Sequence, residues 1–458
     1  MSWASRELDH ANLGDVRRNR RLVKIVEDLA ASPESSVPLA SRDRAALQGM
    51  YDFWANPRIK AASISESHVW SAVNRSACWG WVLAIQDTTE LDYSAHRHKQ
   101  GLGYLRGADT KGVLLHSVLS VSPEGTPLGI LHQRLWARSG RKTLQQRRSS
   151  AQKESVRWSE SLQATEDLLP TTRIVTIADR EADIYELLAY PRLETSDYLI
   201  RIHHDRQVKL TPKSAAVSLH QMMRSAPARG YFQLQLQRTP RRAGREAIVS
   251  VCWESVWLQP PTHLTDPQLE PMQVQVLWAI EEECALEDQP VNWMLVTSLP
   301  IGCFEQAQCL LRWYSYRWLI ERYHYTLKSG CRVESLQLET FDRIERAIAT
   351  FAIVAWRLMW LTYLVRPLDN PRFDLEAHWE LEPEEWQALC HYYDAPPDWF
   401  EDPGLQQCIR WIAQLGGFWG RKSDGEPGAR TIWRGLRRLR DLVRQTSPPD
   451  AIAAPACV

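Results

Sequence analysis

The chain lacks an excess of charge of either sign: 55 Lys and Arg offset 55 Asp and Glu over 458 residues. Net charge therefore names no polyanionic partner, and any nucleic-acid surface must come from local clustering. The nine cysteines are scattered. None forms a CxxC or Cys/His set at zinc spacing, and the odd number argues against a disulfide framework. A reducing, cytoplasmic compartment is expected. The opening MSWASRELDH has no apolar signal core. Internal repeats are lacking. Long apolar runs are scarce too. The one from Ala347 to Val365 has Arg357 at its centre and Arg346 and Arg366 at its ends. That pattern fits a buried core helix, and no membrane span is expected.

What is present is basic clustering. Arg17, Arg18, Arg20, Arg21 and Lys24 form one group. Arg138, Arg141, Lys142, Arg147, Arg148 and Lys153 form a second, and Arg238, Arg241, Arg242 and Arg245 a third. Arg430, Arg434, Arg437, Arg438, Arg440 and Arg444 form a fourth. Each alone is consistent with a solvated face.

A chain of this length holds roughly two to four domains. Residues 1–68 have the pattern of short helices: Asp15 can cap a basic helix whose apolar face is Leu22, Val23, Ile25, Val26 and Leu29. From residue 69 the pattern changes to strands at Trp79–Ile85, Gly112–Val121 and Leu128–Trp136, a charged helix near 150–168, and strands at Arg173–Ala178 and Tyr198–Ile202. This order predicts a mixed α/β sheet. Between about 205 and 300, β-rich segments suggest an insertion in that domain, which then runs to residue 366. A helical region is expected over 367–446 and a disordered tail over 447–458. Within the helical region, Trp411–Leu415 and Trp433–Leu442 carry apolar residues that suit either a dimer interface or a domain core.

Asp87 and Asp179 each follow an apolar strand and precede polar residues, TTE and READ. Strand ends are where α/β sheets present site residues. Two aspartates on neighbouring strands can face one divalent ion, and Mg²⁺ prefers such oxygen ligands. In YSYRWLIERYHYTLK, residues 314–328, Tyr314, Arg317, Glu321 and Lys328 sit at offsets of zero, three, seven and fourteen. On a continuous helix they share an arc of roughly 60°. That stripe suits a carboxylate ligand among phosphate-gripping groups, or equally a solvated face with an ordinary Arg–Glu pair. Glu181 and Asp183 have the spacing of caps or structural partners. His116 and His324 suit satisfied core or surface histidines, since hard Mg²⁺ does not favour imidazole.

These motifs together resemble the IS4-family DDE transposases of the Tn5 type. Tyr314, Arg317, Glu321 and Lys328 match the family's Y-(2)-R-(3)-E-(6)-K signature. IQDTTELDY (85–93) and ADREADIYELL (178–188) resemble the segments around its two aspartates. LLHSVL, GILHQRLW and LGGFWGRKSDGEPGARTIWRG match flanking elements in the family's order. The resemblance implies an RNase H-like catalytic core with a β-strand insertion, flanked by an N-terminal helical domain for the transposon end and a C-terminal helical domain for dimerisation.

It also implies cut-and-paste transposition through a DNA hairpin, with two Mg²⁺ ions (or Mn²⁺) held by Asp87, Asp179 and Glu321. Tyr314, Arg317 and Lys328 are expected at DNA phosphates. Trp293 matches the family's base-stacking tryptophan, Arg201 a basic residue near the flipped base, and Arg17, Arg18, Arg20 and Arg21 fit recognition of the terminal repeat. Asn292 departs from the lysine that precedes the stacking tryptophan. Expected partners are double-stranded DNA, both transposon ends and target, and a second copy of the chain. Two other readings share parts of this pattern: a non-transposing DNA-binding protein and a metal-dependent nuclease on the same fold.

Overall fold

The computed structural model describes residues 1–446 apart from 97, 107–109, 139–153, 237–243, 263, 265–268, 283–289, 366–379 and 422–424. Arg141, Lys142, Arg147, Arg148, Lys153, Arg238, Arg241, Arg242 and the tail 447–458 therefore lie outside the described residues.

The strands are β1 (Trp81–Asp92), β2 (Gly103–Tyr104), β3 (Lys111–Val121), β4 (Pro127–Trp136), β5 (Arg173–Ala178) and β6 (Ser196–Arg201). They continue with β7 (Gln207–Lys209), β8 (Val217–Ser218), β9 (Gly230–Leu236), β10 (Arg245–Leu258), β11 (Met272–Glu281) and β12 (Asn292–Thr297). All join one sheet, ordered β2-β3-β1-β5-β6-β12-β11-β10-β7-β8, with β4 on β3 and β9 on β10. β1, β5 and β6 run parallel. The antiparallel hairpin strands β3 and β4 extend one side. The mixed α/β sheet is the one the strand order predicts, and its RNase H-like arrangement is the one the resemblance implies. The β-rich insertion is not a separate body. It widens the same sheet, because β12 pairs with β6.

The parallel strands are continuous apolar runs, as burial on both faces requires. In β5 every residue from Ile174 to Ala178 is buried. The helix Phe341–Tyr363 is buried from Ala347 onward. Its central Arg357 is 4 % exposed, pairs with Glu380, and lies 4.5 Å from the Trp3 ring. Among the described residues no helix is long and apolar enough to cross a membrane.

At the N-terminus, Asp15 caps the basic helix Val16–Ala30 as the sequence predicts, accepting the Arg17 N–H at 2.9 Å. The helix Ala61–Ala77 crosses the expected boundary at residue 68 and packs Ala72 against Gly129 of β4. The N-terminal helices are tied to the core helix: Trp54 Nε1 donates to Thr350 at 3.2 Å, and Arg346 donates to the Ile59 carbonyl at 2.6 Å. In the C-terminal region, Trp411, Ile412, Leu415, Trp433, Leu436 and Leu439 are all buried within the chain. The apolar faces there form a domain core. The helices Leu405–Leu415 and Ala429–Thr446 meet at glycines: a Cβ on Gly435 would stand 1.7 Å from the Ile412 carbonyl.

Two local expectations change. β1 does not end before Asp87. It continues to Asp92, paired with β3 throughout, and only its pairing with β5 stops at Ile85. Nor is Tyr314–Lys328 one helix. It comprises the end of the helix Phe304–Ser315, the helix Trp318–Tyr325, and a π turn over Thr326–Gly330. At the first junction the N–H groups of Tyr316, Arg317, Leu319 and Ile320 bond three residues back, at 2.9–3.3 Å. That pattern winds more tightly than an α-helix, at about 120° per residue. At the second, the Cys331 N–H reaches back five residues to Thr326.

Candidate active site at the seam of two parallel strands

The site begins where β1 and β5 part. Ile85 and Ile177 are the last parallel pair, and Asp87 and Asp179 lie two residues further on each chain segment. Asp87 stays in β1, opposite Ser117 of β3. Asp179 has left β5, and its carboxylate caps the next turn by accepting the Glu181 N–H at 2.8 Å.

The two carboxylates feel each other. Burial pushes the Asp179 pKa up, and the neighbouring Asp87 charge adds to the rise. Burial also pushes Asp87 up, but His324, Arg317 and the Thr88 N–H outweigh it and hold Asp87 below the usual carboxylate range. His324 Nδ1 stands 3.6 Å from Asp87 Oδ2.

Arg317 and Glu321 lie across the tight junction on the helix Trp318–Tyr325. Arg317 Nη2 donates to Glu321 Oε1 at 2.5 Å. The Glu321 side chain is 51 % exposed, while that of Arg317 is 22 % exposed. Burial opposes the Arg317 charge, yet Tyr314, Glu321 and Asp87 together raise its pKa. One guanidinium thus serves carboxylates from both the sheet and the helix.

Trp293 of β12 packs edge-on against Tyr314, with ring centroids 5.0 Å apart. Tyr314 is only 2 % exposed, so it stands behind Trp293 rather than at the surface. Burial raises its pKa, and Arg317 and Arg201 pull it back. Arg201 also donates to the Asn292 carbonyl at 2.7 Å. The Asn292 side chain accepts the Trp278 indole N–H at 2.8 Å, so this position anchors a neighbouring aromatic.

Lys328 is not in this group. The π turn sends it into a cleft of about 610 Å³ lined also by Glu34, Asp92, His96, Arg332 and Glu334. In the N-terminal helix, Arg20 and Arg21 are exposed, Arg17 pairs with Asp15 at 3.0 Å, and Arg18 donates to the Leu13 carbonyl.

Some residues near the site are not singled out by any sequence motif. Arg157, on the helix Val156–Leu168, donates to Thr88 Oγ1 at 2.9 Å and pairs with Glu181 at 3.4 Å. It ties the segment after Asp87 to the segment after Asp179. Glu181 also pairs with Arg106, and Asp183 accepts from the His203 and His204 N–H groups and from Arg206. Both acids are structural, as their spacing predicts. The signal for Arg157 is a long-range contact, which spacing along the chain does not encode. His116 is fully buried between Thr88 and Gln86.

The donor set fits a hard divalent ion. Two carboxylates are held side by side with their repulsion incompletely relieved, and a third donor is half exposed and held by one arginine. Among the described residues, no three acidic, imidazole or thiol groups converge closely enough to hold a metal together. Glu321 faces Arg317 instead of closing on the aspartates.

Three family models match the chain. Residues 1–59 match a transposase DNA-binding model, 159–357 a transposase DDE domain, and 353–447 a Tn5 transposase dimerisation domain. The chain belongs to the Tn5-like DDE transposases. The matched DDE segment carries Asp179 and Glu321. Asp87 precedes it, and its place in the site follows from the sheet register. As a transposase of this type the chain is an enzyme that uses divalent metal, binds DNA through its N-terminal region and forms a homodimer.

Proposed function

We propose that the chain is a cut-and-paste transposase that cleaves at transposon ends through a hairpin intermediate and joins the freed 3′-OH to target DNA. The observation that carries this reading is the pairing of Asp87 with Asp179 at the strand seam, with Arg317 beside it and Glu321 held by Arg317. Asp87, Asp179 and Glu321 are the ligand set, and two Mg²⁺ ions, replaceable by Mn²⁺, are the expected occupants. When bound, such ions activate the attacking oxygen and stabilise the leaving oxygen of a phosphodiester.

The chain's own groups do the rest. Arg317 is placed to grip a phosphate beside the scissile bond once Glu321 turns to its ligand role. Trp293 presents a half-buried aromatic face on which an extruded base can stack, and Tyr314 supports it from behind. Arg201 flanks that face. Lys328, in its own cleft, suits a phosphate farther along the same duplex. Arg17, Arg18, Arg20 and Arg21 suit the terminal repeat. The working complex is proposed as a synaptic homodimer holding two ends, acting in the bacterial cytoplasm at the nucleoid.

The test is a denaturing gel after incubation with a duplex carrying the cognate end and Mg²⁺. Hairpins and strand-transfer products support the reading. Nicks alone favour a nuclease, and a mobility shift without cleavage favours a binding protein. Asp87→Ala, Asp179→Ala and Glu321→Ala are each expected to abolish cleavage and retain DNA binding.

A further inference from the structure

Behind Asp87 lies a polar chain, half-buried at Gln133 and buried at Ser117, Tyr323 and His324, that the proposed reaction does not use. Gln133 of β4 donates from Nε2 to Ser117 Oγ at 3.1 Å and to Tyr323 Oη at 2.9 Å. Ser117 Oγ lies 3.3 Å from His324 Nε2. His324 Nδ1 lies 3.6 Å from Asp87 Oδ2. Ser117 and Tyr323 are fully buried and His324 is 4 % exposed.

A count of hydrogens is consistent with one direction along the chain. An amide nitrogen has two hydrogens. Both are spent here, one on Ser117 and one on Tyr323. Ser117 Oγ accepts from Gln133 on one lone pair, and its own hydrogen can then go to His324 Nε2. A neutral imidazole carries one N–H, so with Nε2 accepting, the hydrogen sits on Nδ1. That N–H faces Asp87. With this tautomer the branch Gln133–Ser117–His324 runs donor to acceptor toward the carboxylate, while the second Gln133 hydrogen goes to Tyr323.

The elements enforce this placement. Ser117 is the cross-strand partner of Asp87, and Gln133 is the cross-strand partner of Ser117. His324 and Tyr323 are consecutive on the helix that carries Glu321. The relay therefore ties the strand that carries one expected ligand to the helix that carries another.

We propose that His324 is a positioning residue that orients the Asp87 carboxylate for metal binding, with its tautomer set by Gln133 through Ser117. This rests on the reading of Asp87 as a metal ligand. Groups that hold a ligand from behind typically change metal affinity about 10- to 100-fold when removed. A residue that only filled space would leave metal affinity unchanged.

The test is Mn²⁺ titration of the full-length protein without DNA, followed by electron paramagnetic resonance of the free ion, with circular dichroism melts confirming the fold. His324→Ala is expected to weaken Mn²⁺ binding about tenfold or more. His324→Asn, whose amide nitrogen can sit where Nδ1 does, should recover most of it. His324→Gln places its amide near Nε2 and should recover less. Gln133→Glu offers only acceptors, draws the Ser117 hydrogen away from His324, and should weaken binding as well.

Wild-type affinity in His324→Ala overturns the proposal. So does equal affinity in His324→Asn and His324→Gln, a comparison that holds even if His324→Ala fails to fold. Asp87→Asn separates the two layers. If it loses Mn²⁺ while His324→Ala keeps it, only the role of His324 falls. If Asp87→Asn binds as the wild type does, or the wild type binds none, the ligand reading falls and this inference with it.

Discussion

Asp87 and Asp179 stand side by side because each lies two residues past the same pair, Ile85 and Ile177, where a parallel ladder ends. Neighbouring strands are about 4.8 Å apart, so carboxylates leaving such a ladder are within reach of one ion. β1 carries on with β3 while β5 stops. The seam opens on one side only, and the sheet itself sets the spacing of the donors.

Asp179 should destabilise the metal-free fold at neutral pH. Its folded pKa is raised, by burial first and then by Asp87. A raised carboxyl contributes stability below its unfolded pKa and loses it as pH rises through the folded value. Asp179→Asn keeps an oxygen to cap the turn and removes that penalty. In chelator at pH 7 it is expected to be more stable than the wild type, with the two melts converging as pH falls below the ordinary carboxylate range. Divalent ion should then stabilise the wild type and not the variant.

Arg317 works in the opposite sense. It meets Glu321 directly and lowers the cost of the Asp87 and Asp179 charges. Arg317→Gln should destabilise the metal-free protein by roughly 2 kcal/mol. Added Mg²⁺ should restore much of the loss, because the ion replaces the missing positive charge. Thermal melts with and without Mg²⁺ measure both effects.

Trp293→Ala removes the aromatic face and leaves the carboxylates untouched. First-strand nicking should stay within a few-fold of wild type, while hairpin formation falls by roughly tenfold or more, in line with about 1–3 kcal/mol for a stacked base. Quenched-time denaturing gels resolve the two steps. Equal slowing of both would remove the special role of Trp293.

Gly435→Ala tests the C-terminal core. The added Cβ meets a backbone carbonyl, which cannot rotate away. The helices must separate, at a cost of about 1–3 kcal/mol. The expected outcome is faster proteolysis of the region beyond Tyr363 and a lower dimer fraction by analytical ultracentrifugation, with single-end DNA binding retained.

Much of this architecture was legible in the chain. The five strands expected between residues 79 and 202 are all present, because strands packed into a sheet core have few other patterns available. Strand context and the signature singled out Asp87, Asp179 and Glu321, and the structure sets the two aspartates at one seam while Glu321 pairs with Arg317. What was not legible depends on contacts between distant segments. Whether Trp433 faces a partner or its own core is decided by helix packing, and both outcomes have the same periodicity. His324 resembled an ordinary core histidine because Ser117, more than two hundred residues away in sequence, is what gives its ring a direction. Arg157 carries no motif, and nothing near it in sequence points to Thr88.

The π turn at Thr326–Gly330 gives the family signature a different meaning downstream of its glutamate. On a regular helix, seven residues return to the same face, and Glu321 and Lys328 would share it two turns apart. The turn inserts an out-of-phase step, so the spacing there measures a length of chain instead of a repeat of the helix. Deleting one residue from the turn would restore the α-helical phase and rotate everything after it by about 100°. Gly330 would swing out from under Trp433, which packs on it, and Lys328 would leave its cleft. The signature's last interval therefore fixes two things at once, where a lysine meets its surroundings and where the C-terminal region is moored to the catalytic core.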